Sequence, residues 1–156
     1  MAGNYAKGTT VNPSGSRAEI ERTLTRFGVQ TFAYGAESGR AVLFFEKDGR
    51  RIRYSVSMPD FNEKRFHVTP ARQIRRTPAS ARAEWEQACA ERWRALAAGI
   101  KAKLAMIEAG ITTFEEEFLA HTMLPNGQTV FESTAPALAA ATEGKPLPAL
   151  LPGLGN

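Results

Sequence analysis

The sequence has few of the residues from which disulfide, metal and catalytic sites are usually built. Its 156 residues include one cysteine, Cys89, and two histidines, His67 and His121. A single thiol excludes an intrachain disulfide and a zinc site made of cysteines, and it favours a reducing, cytosolic setting. Cys89 falls on an apolar helical stripe and is expected to be buried and inert.

Long hydrophobic runs and familiar catalytic motifs are also missing. No apolar run approaches the ~18 residues that span a bilayer, and the first residues lack the apolar core of a secretory signal. The sequence contains no GxxxxGK[ST], GxGxxG, HExxH or GxSxG pattern. We therefore expect no membrane partner, no cofactor, no bound metal and no enzymatic activity.

Positive charge is concentrated in the middle of the chain. The net charge is +4, but residues 40–76 carry ten basic and four acidic side chains, whereas residues 111–156 carry one and five. A central net charge of +6 beside a C-terminal net charge of −4 favours an anionic partner for the middle of the chain. Nucleic acid is the commonest partner of this kind.

The hydrophobic pattern predicts one α+β domain over 16–144, after a flexible arm at 1–15 and before an apolar, Pro- and Leu-rich tail at 145–156. Ser16 and Glu19 form a capping box that predicts the start of the first helix. The pattern predicts three antiparallel strands at about 30–34, 40–46 and 51–58. Alternation is strict in the third, and the second is apolar on both faces, which predicts that it is the central strand. The Asp48-Gly49 pair predicts a type I′ turn between the last two strands.

The second half of the domain is predicted to be mainly helical. Residues 60–78 read as a long loop, which is unusual in compact domains and often functional. A sustained helical period then predicts a long amphipathic helix at 79–109. A short helix capped by Thr113, a small hairpin around Asn126-Gly127 and a C-terminal helix capped by Ser133 complete the order.

Basic residues with interleaved aromatic residues favour a groove for single-stranded nucleic acid over a site that reads a duplex. Alternation in the third strand places Arg51 and Arg53 on one face, and the loop adds further cations. The candidate phosphate contacts are Arg40, Arg50, Arg51, Arg53, Lys64, Arg65, Arg72, Arg75 and Arg76. The candidate stacking residues are Phe61 and Phe66.

Two other functions remain open at this stage. The acidic C-terminal part and the leucine-rich tail are also consistent with a protein–protein interaction module that inhibits a host factor. Asp60 and Glu63, beside Lys64, have some likeness to a metal-dependent nuclease site, but no further carboxylate is seen to converge on them.

Several stretches resemble a family of small proteins encoded by bacteriophages and prophages. They are KGTTV at 7–11, RAEIERTL at 17–24, GITTFEEEFLAH at 110–121, LPNG at 124–127 and PALLP at 148–152. This resemblance covers nearly the whole chain. It implies a phage protein located in the host cytoplasm, and it brings no catalytic residues.

The predicted topology is similar to the core of phage single-strand annealing proteins, in which three antiparallel strands are followed by a long helix. Those proteins oligomerise and hold single-stranded DNA in a positive groove. The similarity implies a homo-oligomer that acts in DNA annealing, recombination or replication, although shared topology does not establish function.

Overall fold

The computed structural model describes residues 14–37 and 39–146, and it has the predicted α+β architecture. The remaining residues of the predicted arm and tail, 1–13 and 147–156, lie outside the described residues. The elements are α1 Ser14–Arg26, β1 Thr31–Glu37, β2 Arg40–Lys47, β3 Arg50–Ser57, α2 Lys64–His67, α3 Pro78–Glu108, α4 Phe114–Phe118 and α5 Val130–Thr142. A 3₁₀ turn, Leu119–His121, follows α4 directly.

The three strands form an antiparallel sheet in the order β1-β2-β3, so the prediction that β2 is central is confirmed. Phe45 of β2 faces Phe32 of β1 and Ile52 of β3 in register. The turn between β2 and β3 has positive φ angles at Asp48 (51°) and Gly49 (76°). Two positive φ angles are what a type I′ turn requires, which confirms that prediction as well.

One face of the sheet packs on α1, α3 and α4 and forms the main core. Both the sheet and the helices contribute side chains to this core. Apolar residues recur about every second position in the strands and every three to four positions in the helices, so each element has one apolar face. The fully buried members with the largest side chains are Phe45, Phe118, Ile20, Leu24, Leu43, Ile52, Ile100 and Leu104.

Helix α3 has 31 residues and is therefore about 46 Å long. Its predicted apolar stripe is largely confirmed: Trp93, Ile100 and Leu104 lie in the main core, and Leu96 packs against it. Trp85 is also buried, but outside that core cluster. The N-terminal part of α3 therefore extends beyond the sheet and supports a different part of the chain.

Three local predictions are wrong. Helix α1 begins at Ser14, so Ser16 lies inside it and does not cap it. The predicted hairpin is reduced to one bridge between Met123 and Thr129, because Val130 already begins α5. Thr129 caps that helix in place of Ser133, since its hydroxyl accepts the amide of Glu132 and the Glu132 carboxylate accepts the amide of Thr129.

The capping box predicted at Thr113 is present, with Glu116 as its reciprocal partner. It begins α4 and places Phe114 and Phe118 against the sheet. No helix in the described ranges is long and apolar enough to cross a membrane.

We predict that Phe118→Ala destabilises the fold by about 3–5 kcal/mol, the usual cost of emptying a buried aromatic position. Phe118 is 0% exposed, and its ring meets those of Phe45 and Phe114 at centroid distances of 5.5 and 4.7 Å. Urea unfolding measures the change. The control is Ile111→Ala, at a 74% exposed position, which should change stability by about 0.5 kcal/mol or less. Equal effects of the two substitutions would contradict the placement of Phe118 in the core.

Candidate nucleic-acid interface

The structure divides the predicted phosphate contacts into two groups at different places. Arg40, Arg50, Arg51 and Arg53 lie on the sheet. The others lie in residues 60–77, here called the basic segment: Lys64, Arg65, Arg72, Arg75 and Arg76. Ser57, at the end of β3, lies six positions beyond Arg51, about 20 Å along an extended strand. The basic segment begins beyond that end, where Arg40 also lies because it pairs with Ser57, whereas Arg50 and Arg51 lie at the opposite end of the sheet.

Two of the four arginines on the sheet form ion pairs. Arg53 pairs with the Glu132 carboxylate, and its Nη1 donates to the carbonyl of Gly127 at 3.0 Å. Arg50 pairs with Glu115 at 2.7 Å. Neither guanidinium is therefore available to a phosphate without displacing a bond already made.

The second face of the sheet, opposite the main core, carries three guanidinium groups and two carboxylates, and Glu132 of α5 supplies a third carboxylate. In the strand register, Arg51 lies beside Glu46 and Arg40 lies beside Glu37. A cleft of about 300 Å³ between this face and α5 is lined by Glu37, Arg40, Val42, Arg53, Ser55 and Glu132. Two glutamates offset its two arginines, so the cleft has no net charge with which to attract an anion.

The basic segment is an ordered structure and not the open loop that the sequence predicts. Residues 64–67 form the short helix α2, and Val68 then pairs with Arg75 across a β-bridge. The amide of Arg76 donates to the carbonyl of His67 at 2.8 Å. Residues 67–76 thus form a hairpin, here called the basic hairpin. The prediction missed it because its strands are too short to show alternation.

The two aromatic residues of the segment attach it to α3. Phe66 is 3% exposed, so its predicted role in base stacking is wrong. Phe61 is half-buried, with its ring edge-on to Trp85 at 5.9 Å and to His67 at 4.9 Å. The indole N–H of Trp85 donates to the carbonyl of Pro59 at 2.7 Å. These contacts hold the root of the basic hairpin on the N-terminal part of the long helix.

The basic segment keeps a net positive charge after its internal ion pairs are counted. It carries five basic and two acidic side chains. Arg65 pairs with Glu63 at 2.6 Å, and Arg76 pairs with Glu84 of α3 at 2.9 Å.

The other three cations of the basic segment have no such partner. Lys64, Arg72 and Arg75 are exposed, and no carboxylate of the described residues lies within 4.0 Å of them. They are the side chains of the basic segment that are best placed to meet phosphate.

The carboxylates with some likeness to a nuclease site serve the local backbone. Glu63 accepts the amide of Asp60 at 2.9 Å, and Asp60 accepts the amide of Asn62 at 2.9 Å. Within the described ranges, no group of three or more His, Cys, Asp or Glu side chains could hold a metal ion.

The two histidines and the cysteine pack against, or hydrogen-bond to, neighbouring residues of the fold. His121 stacks on Tyr54 with ring centroids 3.8 Å apart, and burial lowers the pKa of His121. Nε2 of His67 lies 2.8 Å from the carbonyl of Phe61. Burial, with a smaller contribution from Glu86, raises the pKa of Cys89 to about 11, so this thiol stays protonated at neutral pH.

Comparison with known proteins adds no further information on this site: no family model, curated protein or solved structure matches the chain. The phage resemblance therefore stays a prediction, and the candidate site is interpreted from its own geometry.

We predict that Glu132 stabilises the fold at neutral pH and loses this effect in acid. The Thr129 amide, followed by Arg53, holds the pKa of Glu132 below its usual range. A carboxyl whose pKa is lower in the folded chain stabilises above its unfolded pKa of about 4.3, and the stabilisation disappears as pH falls through the folded value. Urea unfolding of Glu132→Gln should show a deficit at pH 7 that shrinks toward pH 3.

The control for this series is Glu108→Gln, at the exposed end of α3, which should show no such pH-dependent deficit. A deficit for Glu132→Gln that stays constant from pH 7 to pH 3 would contradict the role given to this carboxylate.

Proposed function

We propose that this chain is a non-enzymatic nucleic-acid-binding protein whose basic segment contacts the phosphate backbone. One observation carries the proposal: Lys64, Arg72 and Arg75 are exposed on one ordered segment, with no carboxylate of the described residues near them. Cations that are not neutralised internally release counterions when they meet phosphates, and this release drives binding to nucleic acid.

The arrangement of the segment suits a polyanion better than a small acidic ligand. Its exposed cations are carried on both α2 and the basic hairpin. A repeating backbone can contact spread cations one after another. A small anion would need them to converge on a single point.

The prediction that the ligand is single-stranded and not duplex depended on base stacking by Phe61 and Phe66. Since Phe66 is buried, only the exposed part of Phe61 offers a ring in this segment. The proposal therefore rests on contact with phosphates, which both single strands and duplexes provide. A role in phage annealing, recombination or replication stays a prediction from resemblance.

We expect the triple variant Lys64→Gln, Arg72→Gln, Arg75→Gln to bind labelled DNA more weakly than the wild-type chain. The plot of log K against log salt concentration should also become shallower, by about 0.7–0.9 for each phosphate that is no longer neutralised. Fluorescence anisotropy with single-stranded and duplex DNA, at several salt concentrations, measures both quantities.

The matched control removes the same charge elsewhere, with Arg22→Gln, Arg26→Gln and Lys101→Gln. Lys101 lies sixteen residues beyond Trp85 on α3, about 24 Å along the helix. Unchanged affinity and slope in the basic-segment variant, or equal losses of affinity in the two variants, would overturn this site. Absence of DNA binding by the wild-type chain at low salt would overturn the function itself.

A second candidate function, self-association, is supported by a separate observation on α5. Phe131 and Leu138 are 60% and 52% exposed, one heptad apart, and Leu119 of the adjoining 3₁₀ turn is 55% exposed. Residues 133–142 contain no charged side chain. This combination is typical of a helix that packs on an apolar partner, and a second copy of the chain would present the same face.

We expect light scattering after size-exclusion chromatography to show a mass that rises with concentration. Leu138→Asp should return the chain to a monomer, because it places a charge in the middle of the shared apolar face. Ile111→Asp, at a 74% exposed position outside α5, is the control that should leave the mass unchanged. A wild-type monomer at every concentration would exclude this candidate.

A further inference from the structure

An exposed isoleucine lies beside the turn of the basic hairpin, where it pairs with Thr69. Ile74 is 55% exposed, and its neighbours Arg72 and Arg75 are exposed as well. A single exposed aliphatic side chain is ordinary on a protein surface. Ile74 differs from such a residue because hydrogen bonds hold its backbone amide and carbonyl, and because Arg72 and Arg75 flank it.

The hairpin tip is held by a closed set of hydrogen bonds to Thr69. The amide of Ile74 donates to the Thr69 hydroxyl at 3.0 Å, and the amide of Thr69 donates to the carbonyl of Ile74 at 2.9 Å. Gln73 has a positive φ of 52°, and its side-chain amide donates to the carbonyl of Pro70 at 3.1 Å. The backbone that presents Ile74 is therefore ordered before any ligand arrives.

The root of the hairpin is equally well anchored. The buried ring of Phe66 and the hydrogen bond from Trp85 to Pro59 hold it on α3. Arg76, whose side chain is only 15% exposed, pairs with Glu84 of the same helix. Because its root is fixed on α3, the hairpin can keep its position when a ligand contacts its tip.

These features fit one known way of contacting duplex DNA. Aliphatic side chains inserted between base pairs unstack and kink the duplex, while neighbouring basic side chains hold the phosphates. Isoleucine has no aromatic face on which a base could stack, so an exposed Ile74 suits separation of stacked bases better than stacking with them. The two short strands of the basic hairpin are narrow enough to enter a groove.

We propose that Ile74 is an apolar wedge that separates adjacent base pairs of duplex DNA, with Arg72 and Arg75 on the flanking phosphates. This inference rests on the proposed nucleic-acid binding. It goes further by naming duplex DNA as the ligand, distortion as the effect and Ile74 as the residue that produces it.

The test uses the full chain and duplexes that carry 2-aminopurine at successive positions, with a donor and an acceptor dye at the two ends. Unstacking raises 2-aminopurine fluorescence, and kinking shortens the distance between the dyes. We expect the wild-type chain to produce both signals. Ile74→Ala should abolish both, while its affinity falls by no more than about tenfold because the phosphate contacts remain.

Ile74→Leu is the matched variant and should retain both signals, since it keeps an aliphatic side chain of the same size. All variants should have the wild-type urea midpoint, because position 74 is exposed.

Wild-type binding without either signal, signals that survive in Ile74→Ala, or binding to single strands alone would each overturn the wedge and leave the proposed function in place. No binding to any DNA at low salt would overturn both proposals.

Discussion

The hydrogen bond from Trp85 to Pro59 joins the end of the sheet to the start of the long helix. It is 2.7 Å long and buried, and a buried N–H without its acceptor would cost about 1–3 kcal/mol. Around it pack Phe61 and, on the same segment, Phe66. Because these contacts set where the chain goes after β3, the position of every cation in the basic segment depends on them.

Electrostatic pairing decides which basic residues can serve an external ligand. Nine cations look equivalent along the sequence, but Arg50, Arg53, Arg65 and Arg76 each contact a carboxylate in the fold. An exposed ion pair contributes little stability, yet it still lowers the local positive potential. Among the described residues, Lys64, Arg72 and Arg75 form no such pair, and neither do Arg40 and Arg51, although these two lie beside Glu37 and Glu46 in the strand register. Three of the five unpaired candidate cations therefore lie on the basic segment.

Local patterns predicted the scaffold and failed where distant parts of the chain meet. Alternation in β3, the helical period of α3 and the Asp48-Gly49 turn depend on neighbouring residues and can be recognised in one dimension. The pairing of Arg53 with Glu132 joins positions 79 residues apart, and no local signal indicates it. The burial of Phe66 was missed for the same reason, since a phenylalanine between basic residues suits a stacking role and an anchoring role equally well.

Part of the buried apolar surface lies outside the main cluster. Ala81, Trp85 and Phe66 are buried, yet none belongs to the main cluster built on the sheet and on the part of α3 from Trp93 onward. The basic segment is therefore supported by buried residues that lie outside the main cluster. Evolution could therefore change the length or the charge of the basic segment while the main cluster continued to specify the fold. For the same reason, a different hairpin could be grafted at this position by design.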